Sequence, residues 1–296
     1  MTSPNILFAI NGQLQPVEGQ TVNLIEDRGL AYGHGLFETL LLNQSTLPLL
    51  DRHLARLNSD SQLLGIFVEP EVIGHYLNLF LDALALQSIT CGVIKIMITA
   101  GSGGRGYKSP ANILPTVIFS YHSMSEDILY QRKEGIDISL CRHLISNSSS
   151  LAGIKHLNRL DQVMARNEWS HNKYQDGLMF NDKDDVIEAT SANIFVKTNE
   201  GFWLTPDLSL SGVSGVMRGL LIDEIFPACD IDISIAKINR NILLASQQII
   251  LCNAVKGILR VNSVYSDNDQ LLMALPLDQQ SLMLNNKLIN LYPQYQ

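Results

Sequence analysis

The sequence predicts a mixed α/β (α+β) protein of two domains, and three observations lead to this fold class. The chain has 296 residues, enough for two domains of ordinary size. Its predicted strands and helices do not alternate as regular βαβ units, which favours a mainly antiparallel or mixed sheet over a doubly wound one. A short polar segment, 122–127, is the expected domain connection. It divides the chain into a smaller N-terminal domain, 1–121, and a larger C-terminal domain, 122–296.

In the first domain, alternating apolar residues and turn signals predict an opening hairpin and further strands. The strands are expected over 6–10, 14–17, 36–42, 46–50, 93–100 and 116–121. Helical spacing predicts one helix that Asp51 caps, with Leu54, Leu57 and Leu64 turned inward, ending near Gly65. A second helix is expected over 71–86.

In the second domain, a helix is expected from the segment 153–160 to about residue 172. Leu157, Leu160 and Met164 recur at helical spacing and predict one buried apolar stripe. Further helices are expected over 215–225, 240–246 and 278–291. Strands are expected over 136–141, 177–181, 186–189, 193–197, 202–205, 232–235, 248–253 and 258–261.

Composition narrows the class of protein. Hydrophobic residues make up 46% and charged residues 17%, as in an ordinary globular protein. The net charge of -8 argues against a nucleic acid or an anionic membrane as partner. The four cysteines, Cys91, Cys141, Cys229 and Cys252, lie in apolar runs without a CxxC pair, so buried free thiols and a reducing, cytoplasmic location are expected, with no metal centre. We expect neither a signal peptide nor a membrane span.

The glycine-rich loop 101–106 matches the pattern GxGxxG and follows a predicted strand. A dinucleotide-binding motif must open a helix, yet Tyr107 to Pro110 begin no helical pattern, so this interpretation fails. The loop presents one arginine, Arg105, whose planar guanidinium suits a carboxylate. A solvated arginine at a flexible hairpin tip is an equally good interpretation.

Lys155 lies where a serine-rich segment gives way to a helical pattern. A lysine held against apolar surroundings has a lowered pKa and can form a Schiff base. A surface lysine is the commoner case. Glu188 interrupts an apolar strand, and a buried carboxylate needs a partner. That partner is either an arginine or backbone amides, or the protonated ring nitrogen of a pyridoxal cofactor.

Two further segments could hold a phosphate. Residues 212–218 place glycines before a helix, where exposed amides attract anions. Arg56 lies on the helix that Asp51 begins. Thr190, Ser191 and Asn193 could also donate to an anion. Each feature is weak alone, but they occur in one chain with Lys155 and Glu188.

Six motifs in order carry a family resemblance. They are Asp27-Arg28-Gly29, Tyr32-Gly33-x-Gly35-x-Phe37-Glu38-Thr39, His53-Leu54-Ala55-Arg56-Leu57, the Lys155 segment, Glu188-x-x-Ser191-x-Asn193 and Gly215-Val216-Met217-Arg218. Together they resemble the class IV pyridoxal-phosphate aminotransferase family, over about residues 27–261. Segments 101–107 and 155–163 are most similar to the aminodeoxychorismate lyase branch.

The resemblance implies a D-amino-acid-aminotransferase-like fold, a homodimer, and pyridoxal 5'-phosphate in the cleft between the domains. It implies that Lys155 is the Schiff-base lysine and Glu188 the partner of the pyridine nitrogen. The remaining cofactor-binding residues would be Arg56, Ser191, Asn193, Val216 and Met217. The expected substrate-binding residues are Arg105, Phe37 and Asn253. His34 is a departure, because many relatives carry aspartate there.

The implied reaction converts 4-amino-4-deoxychorismate to 4-aminobenzoate and pyruvate, in folate biosynthesis, with Lys155 as the base. Two alternatives stay open. One is a class IV aminotransferase that acts on branched-chain or D-amino acids. The other is a non-catalytic relative that binds the cofactor or serves as an interaction module.

Overall fold

The structure is a computed structural model that describes residues 7–15, 25–170 and 172–296. It forms two compact units. Unit 1 contains the chain as far as Ser125 together with Lys155–Asn158, and unit 2 contains Glu126–Ile154 and Arg159–Gln296.

The described residues form strands and helices in mixed order. The strands are β1 (Phe8–Ile10), β2 (Gln13–Gln15), β3 (Gly35–Leu42), β4 (Gly92–Thr99), β5 (Thr116–His122), β6 (Ile136–Leu140), β7 (Asp176–Phe180), β8 (Val186–Ala189), β9 (Asn193–Lys197), β10 (Trp203–Pro206), β11 (Ile233–Ala236), β12 (Gln248–Asn253), β13 (Gly257–Tyr265) and β14 (Leu271–Ala274). The α-helices are α1 (Arg28–Tyr32), α2 (Leu50–Leu63), α3 (Pro70–Leu86), α4 (Asp127–Glu134), α5 (Leu160–Arg166), α6 (Val216–Leu220), α7 (Arg240–Leu244) and α8 (Gln279–Leu291).

Unit 1 is built on an antiparallel sheet with the strand order β2-β1-β5-β4-β3. Period-two alternation along β4 buries Ile94, Ile96 and Ile98, whereas Lys95 and Met97 on the opposite face stay partly exposed. The buried face packs in one core with apolar side chains of α2 and α3. The opposite face carries Phe37.

The segment that contains Lys155 belongs to unit 1 because it pairs with β3. Phe37 N donates to Lys155 O at 3.0 Å, Leu157 N donates to Gly35 O at 2.9 Å, and Leu36 bridges to His156. The boundaries expected from sequence placed Lys155 in the second domain. Pairing across more than 100 residues of chain is a long-range interaction, which local patterns do not reveal.

Unit 2 contains a larger mixed sheet with the order β11-β10-β9-β12-β13-β6-β7-β8, and β14 pairs with β13. Its parallel pairs are β10 with β11, β13 with β6, and β6 with β7. β7 and β8 form an antiparallel hairpin, as the acidic turn between them suggests. The predicted fold class, a mixed α/β protein with two sheets rather than a doubly wound one, is confirmed.

The strand predicted over 46–50 is wrong. Only Thr46 forms an isolated bridge, to Asn43, and α2 already begins at Leu50. Pro48 has no N–H for a ladder, and Leu49 has φ 62°, a left-handed conformation that turns the chain into the helix. The predicted cap is also wrong: the N-cap position is Leu49, and Asp51 lies in the first turn.

The helix after Lys155 is shorter than predicted and its apolar stripe is not buried. α5 ends at Arg166, because Glu168 turns away and its carboxylate accepts the backbone N–H groups of Arg142 and His143. Leu160 is 75% exposed and Met164 55%, since the helix buries its small residue Ala165 instead.

Smaller differences concern other segments. α1, α4 and β14 were not predicted. Cys141 and Cys252 are buried as expected, but Cys91 is exposed. Residues 6, 16 and 17 of the predicted first hairpin lie outside the described residues. Within the described part of the chain, no helix combines the length and apolar character needed to cross a membrane.

Gly35 permits both the β3–β4 pairing and the attachment of the Lys155 segment. A Cβ at this position would meet Ile98 O at 2.5 Å and Leu157 Cδ1 at 2.7 Å. We therefore expect Gly35→Ala to reduce the free energy of unfolding by about 1–3 kcal/mol, through overpacking, in a denaturant titration. Gly74→Ala is the matched control, because a Cβ there meets nothing within 4 Å inside α3. This control should stabilise the protein by about 0.5–1 kcal/mol. Equal effects of the two substitutions would contradict the packing argument.

Candidate active site

Lys155 is held at its backbone on both sides. Its N–H donates to Asp60 Oδ2 at 3.2 Å and its carbonyl accepts from Phe37 N at 3.0 Å. The half-buried side chain places Nζ 4.2 Å from the centroid of the Phe37 ring. A fixed backbone and an aromatic wall restrict the positions that the amine can occupy, as a nucleophilic lysine requires.

One face of α2 supports this lysine. His53, Arg56 and Asp60 are spaced by three and four residues, so they point to the same side of the helix. Arg56 Nε and Nη2 donate to the two carboxylate oxygens of Glu38 on β3, each at 2.6 Å. His53 Nδ1 lies 2.6 Å from Glu38 Oε2. A buried carboxylate thus links the strand to the helix.

Opposing effects act on the two acids of this cluster. Burial by itself would raise the pKa of Glu38, but the hydrogen bond from His53 and the charge of Arg56 lower it to about 2. The pKa of Asp60 is raised, mainly by burial, although its hydrogen bond with Lys155 acts against this. Glu38 is therefore ionised across the neutral pH range.

Arg56, the predicted phosphate ligand, is partly committed to Glu38. The carboxylate takes two of its five N–H donors in a bidentate pair. This pair fixes the plane of the guanidinium. Binding of a phosphate would use donors that point away from Glu38.

Glu188 lies on β8 of unit 2 and is 4% exposed. Oε2 accepts the N–H of Val213 at 2.8 Å and Oε1 accepts Gln162 Nε2 at 3.2 Å. Gly212, with φ 86°, brings the backbone close, since a Cβ there would lie 3.3 Å from Oε2. Glu188 also interacts electrostatically with Arg159, because burial lowers the pKa of that guanidinium whereas the charge of Glu188 raises it.

The predicted phosphate-binding turn lies next to Glu188. Gly215 is the N-cap of α6, and the first intrahelical bond runs from Gly219 N to Gly215 O. The N–H groups of Val216 and Met217 therefore precede the helical ladder, as at any helix start. Asn193 Nδ2 donates to Val213 O at 2.8 Å and supports this turn.

The other two predicted polar ligands have structural partners in unit 2. Ser191 Oγ donates to Asp176 Oδ2 at 2.7 Å. Asn253 Nδ2 donates to Ser191 O, and its Oδ1 accepts the N–H groups of Val255 and Lys256. Holding a ligand would require Ser191 to turn its single O–H away from Asp176.

The glycine-rich loop is held by the α1 segment. Arg28, which is 2% exposed, donates to the carbonyls of Gly106 at 3.1 Å and Tyr107 at 2.6 Å. Asp27 accepts from the hydroxyls of Thr99 and Thr116, at the two strand ends that the loop joins. No helix follows the loop in the fully described segment 100–115, so the dinucleotide interpretation stays excluded.

His34, the departure from the family pattern, connects α1 to the end of α2. Its Nε2 lies 2.9 Å from Leu64 O, and its Nδ1 lies 3.4 Å from Arg28 Nε. The imidazole therefore helps to orient the arginine that holds the loop. Arg105 itself is exposed on that loop.

Sequence reasoning missed several residues of the site. Glu38 interrupts an apolar strand as Glu188 does, so the same argument could have identified it. The spacing of His53, Arg56 and Asp60 was also visible. Lys95, whose Nζ lies 4.9 Å from the Phe37 ring, carried no signal beyond being a charge in an apolar strand. Burial lowers its pKa.

Comparisons with known proteins bear on this geometry. The family model of the class IV amino-transferases matches residues 35–264. The chain belongs to the class IV aminotransferase family. It is 31% identical to the aminodeoxychorismate lyase of Vibrio harveyi, over 90% of this chain and 94% of that protein. The crystal structure of 4-amino-4-deoxychorismate lyase from Pseudomonas aeruginosa superimposes with a TM-score of 0.85 and 33% identity, over 96% of this chain and 98% of the other.

Structures of lower sequence identity share the fold. The Escherichia coli branched-chain amino acid aminotransferase gives a TM-score of 0.79 at 19% identity, over 97% of this chain and 94% of the other. A hypothetical aminotransferase from Mycobacterium tuberculosis in its pyridoxal-phosphate-bound form gives 0.79 at 17% identity, over 96% and 99%. Among the described residues there is no group of three His, Cys, Asp or Glu side chains that could hold a metal ion.

The low pKa of Glu38 makes a prediction about acid stability. Its folded-state pKa of about 2 lies below the ordinary 4.5, so its stabilising contribution is complete above pH 4.5 and is lost as the pH falls to about 2. At about 1.4 kcal/mol per pKa unit this amounts to about 3 kcal/mol. The difference in unfolding free energy between wild type and Glu38→Gln should therefore shrink by that order between pH 5 and pH 2. Denaturant titrations at several pH values measure it, with the exposed Asp82→Asn as control. If the difference in unfolding free energy stayed constant with pH, the partners of Glu38 would not lower its pKa.

The bonds of Arg28 make a prediction about the glycine-rich loop. Arg28→Lys keeps the charge but cannot donate to two carbonyls in a fixed plane. We expect trypsin to cleave this variant after Arg105 and Lys108 several times faster than wild type, with sites mapped by mass spectrometry. Leu30→Ala, an exposed change on the same helix, should cleave at the wild-type rate. An unchanged rate in Arg28→Lys would mean that the arginine does not hold the loop.

Proposed function

We propose that this protein is an aminodeoxychorismate lyase that converts 4-amino-4-deoxychorismate to 4-aminobenzoate and pyruvate. The main support is the pair of lyases that match it at 31% and 33% identity over at least nine-tenths of the chain. Lys155 and Glu188 are both present, and each is held by specific hydrogen bonds. These features also argue against a non-catalytic relative.

The donor set fits pyridoxal 5'-phosphate. Lys155 would hold its aldehyde, and Glu188 would pair with its pyridine nitrogen. The amides of Val216 and Met217 and the guanidinium of Arg56 would hold its phosphate. When bound, the cofactor supplies an aldehyde for attachment of an amine and a ring that withdraws electrons.

The chain's own residues have three tasks in this proposal. Lys155 Nζ takes the proton from the substrate carbon that bears the amino group, which is general-base catalysis. Glu188 keeps the adjacent ring nitrogen protonated, because its buried negative charge stabilises a cation. The backbone bonds of Lys155 keep Nζ near the Phe37 ring throughout. Loss of the enolpyruvyl group from the neighbouring carbon then leaves an aromatic ring.

Arg105 is proposed to bind a carboxylate of the substrate. Its exposure on a loop that Arg28 anchors allows a long side chain to reach a ligand from a fixed base. Phe37 would form an apolar wall beside the substrate. Asn253 and Ser191 would support the adjacent turn of unit 2 and would influence substrate binding through the shape of that turn.

We also propose a homodimer in the cytoplasm. Exposed apolar side chains on α5, Leu160, Val163 and Met164, are the kind of surface that a second subunit covers. The four cysteines are free thiols, which suits a reducing compartment.

A steady-state assay tests the reaction. Purified protein reconstituted with pyridoxal phosphate should release 4-aminobenzoate from 4-amino-4-deoxychorismate with no oxo acid added, as followed by fluorescence or chromatography. The lyase needs no second substrate, because aromatisation of the ring drives the reaction to completion. An aminotransferase, the alternative suggested by relatives such as the Methanocaldococcus jannaschii putative branched-chain-amino-acid aminotransferase at 25% identity, would require an amino-acid and oxo-acid pair.

Two controls complete the assay. Lys155→Ala should lose both turnover and the visible absorption of the lysine-bound cofactor. Turnover only with an amino-acid and oxo-acid pair would refute the lyase proposal. A wild-type protein that is colourless and inactive with either substrate would favour the non-catalytic alternative.

A further inference from the structure

Asp60 is a buried carboxylate that binds the backbone of Lys155. It is 7% exposed and lies on α2, one helical turn after Arg56. Its Oδ2 accepts the N–H of Lys155 at 3.2 Å, across 95 residues of chain. A carboxylate in this setting is costly to bury and must make interactions that offset its desolvation.

The charged groups around Asp60 explain how the carboxylate is tolerated. The positive charge of Arg56 acts on it favourably and the negative charge of Glu38 unfavourably. Ser59 Oγ lies 3.5 Å from Oδ1. Arg56 is thus flanked by two carboxylates, one of which fixes its guanidinium while the other fixes the backbone of Lys155.

The remaining backbone bonds of the Lys155 segment do not replace this contact. Phe37 N and Gly35 O bind the segment from the β3 side, through Lys155 O and Leu157 N. The hydrogen bond from the Lys155 N–H to Asp60 ties the segment to α2. Loss of this acceptor would weaken that attachment and allow the segment to shift about its β3 bonds.

We propose that Asp60 is a positioning residue for Lys155. By binding the Lys155 N–H from the helix that also carries Arg56, it keeps the cofactor-attaching amine at a fixed distance from that guanidinium. This inference deepens the proposed function and rests on the assignment of Lys155 as the cofactor lysine.

The test compares Asp60→Ala and Asp60→Asn with a matched control, Ser61→Ala. Ser61 is the next residue of α2, is equally buried, and loses one hydrogen bond, to Asn58 O, when truncated. Each protein is mixed with pyridoxal phosphate, and attachment to Lys155 is followed by visible absorbance. Values of kcat and KM with 4-amino-4-deoxychorismate and the thermal midpoint are measured on the same samples.

We expect Asp60→Ala to weaken cofactor attachment about tenfold, the effect of one lost hydrogen bond to a charged group. Its kcat should fall with little change in KM, because the lost hydrogen bond positions Lys155. Asp60→Asn keeps an oxygen acceptor and should recover most of the cofactor affinity and most of kcat. Ser61→Ala should match wild type in cofactor affinity and in kcat, whatever its thermal midpoint.

Three results would overturn the inference. One is an Asp60→Ala variant that matches Ser61→Ala in attachment and kcat, which would leave Asp60 a purely structural role. Another is an Asp60→Asn variant as impaired as Asp60→Ala, because charge rather than the hydrogen bond would then matter. The third is rapid hydrogen exchange of the Lys155 amide in the folded wild type, a measurement that requires no variant. A wild-type protein that does not take up pyridoxal phosphate would instead contradict the proposed function, and this inference with it.

Discussion

The ionised carboxylate of Glu38 is the charge on which the polar interior of unit 1 depends. It lies in the middle of β3, almost fully buried, and accepts from His53 and from Nε and Nη2 of Arg56. An unpaired carboxylate could not remain ionised there, and an unpaired arginine could not stay buried beside it. The pair therefore fixes the distance and the rotation of α2 relative to β3, and Asp60 transfers that placement to Lys155.

Each unit buries a carboxylate beside an arginine. Glu38 accepts hydrogen bonds from His53 and Arg56, which lower its pKa. Glu188 accepts from the backbone amide of Val213 and the carboxamide of Gln162, and its charge also acts on Arg159. A cation within electrostatic reach thus offsets part of the cost of burying each carboxylate.

The sequence alone was sufficient for the family, the fold class and most strands, because the alternation along β4, the apolar run of β12 and the order of six motifs are local properties. It failed where tertiary interactions decide. The apolar stripe after Lys155 has helical spacing, yet Leu160 and Met164 face outward, since periodicity identifies an apolar side and not what covers it. Ser191 and Asn253 were identified by residue type, but Ser191 binds Asp176, 15 residues away, and Asn253 Nδ2 binds Ser191 O, 62 residues away. Arg28 showed no sign of its role because the carbonyls that it binds lie 78 and 79 residues away.

The pairing of the Lys155 segment with β3 has a consequence for how the fold avoids misassembly. β3 is the last strand of its sheet, with β4 on one side only. An uncovered edge strand as apolar as β3 is a template for pairing with another chain. The segment Lys155–Leu157 occupies part of that edge with main-chain hydrogen bonds. The same few residues thus include Lys155, the proposed cofactor lysine, and shield a sheet edge. A nascent chain released before it reaches this segment would expose that edge.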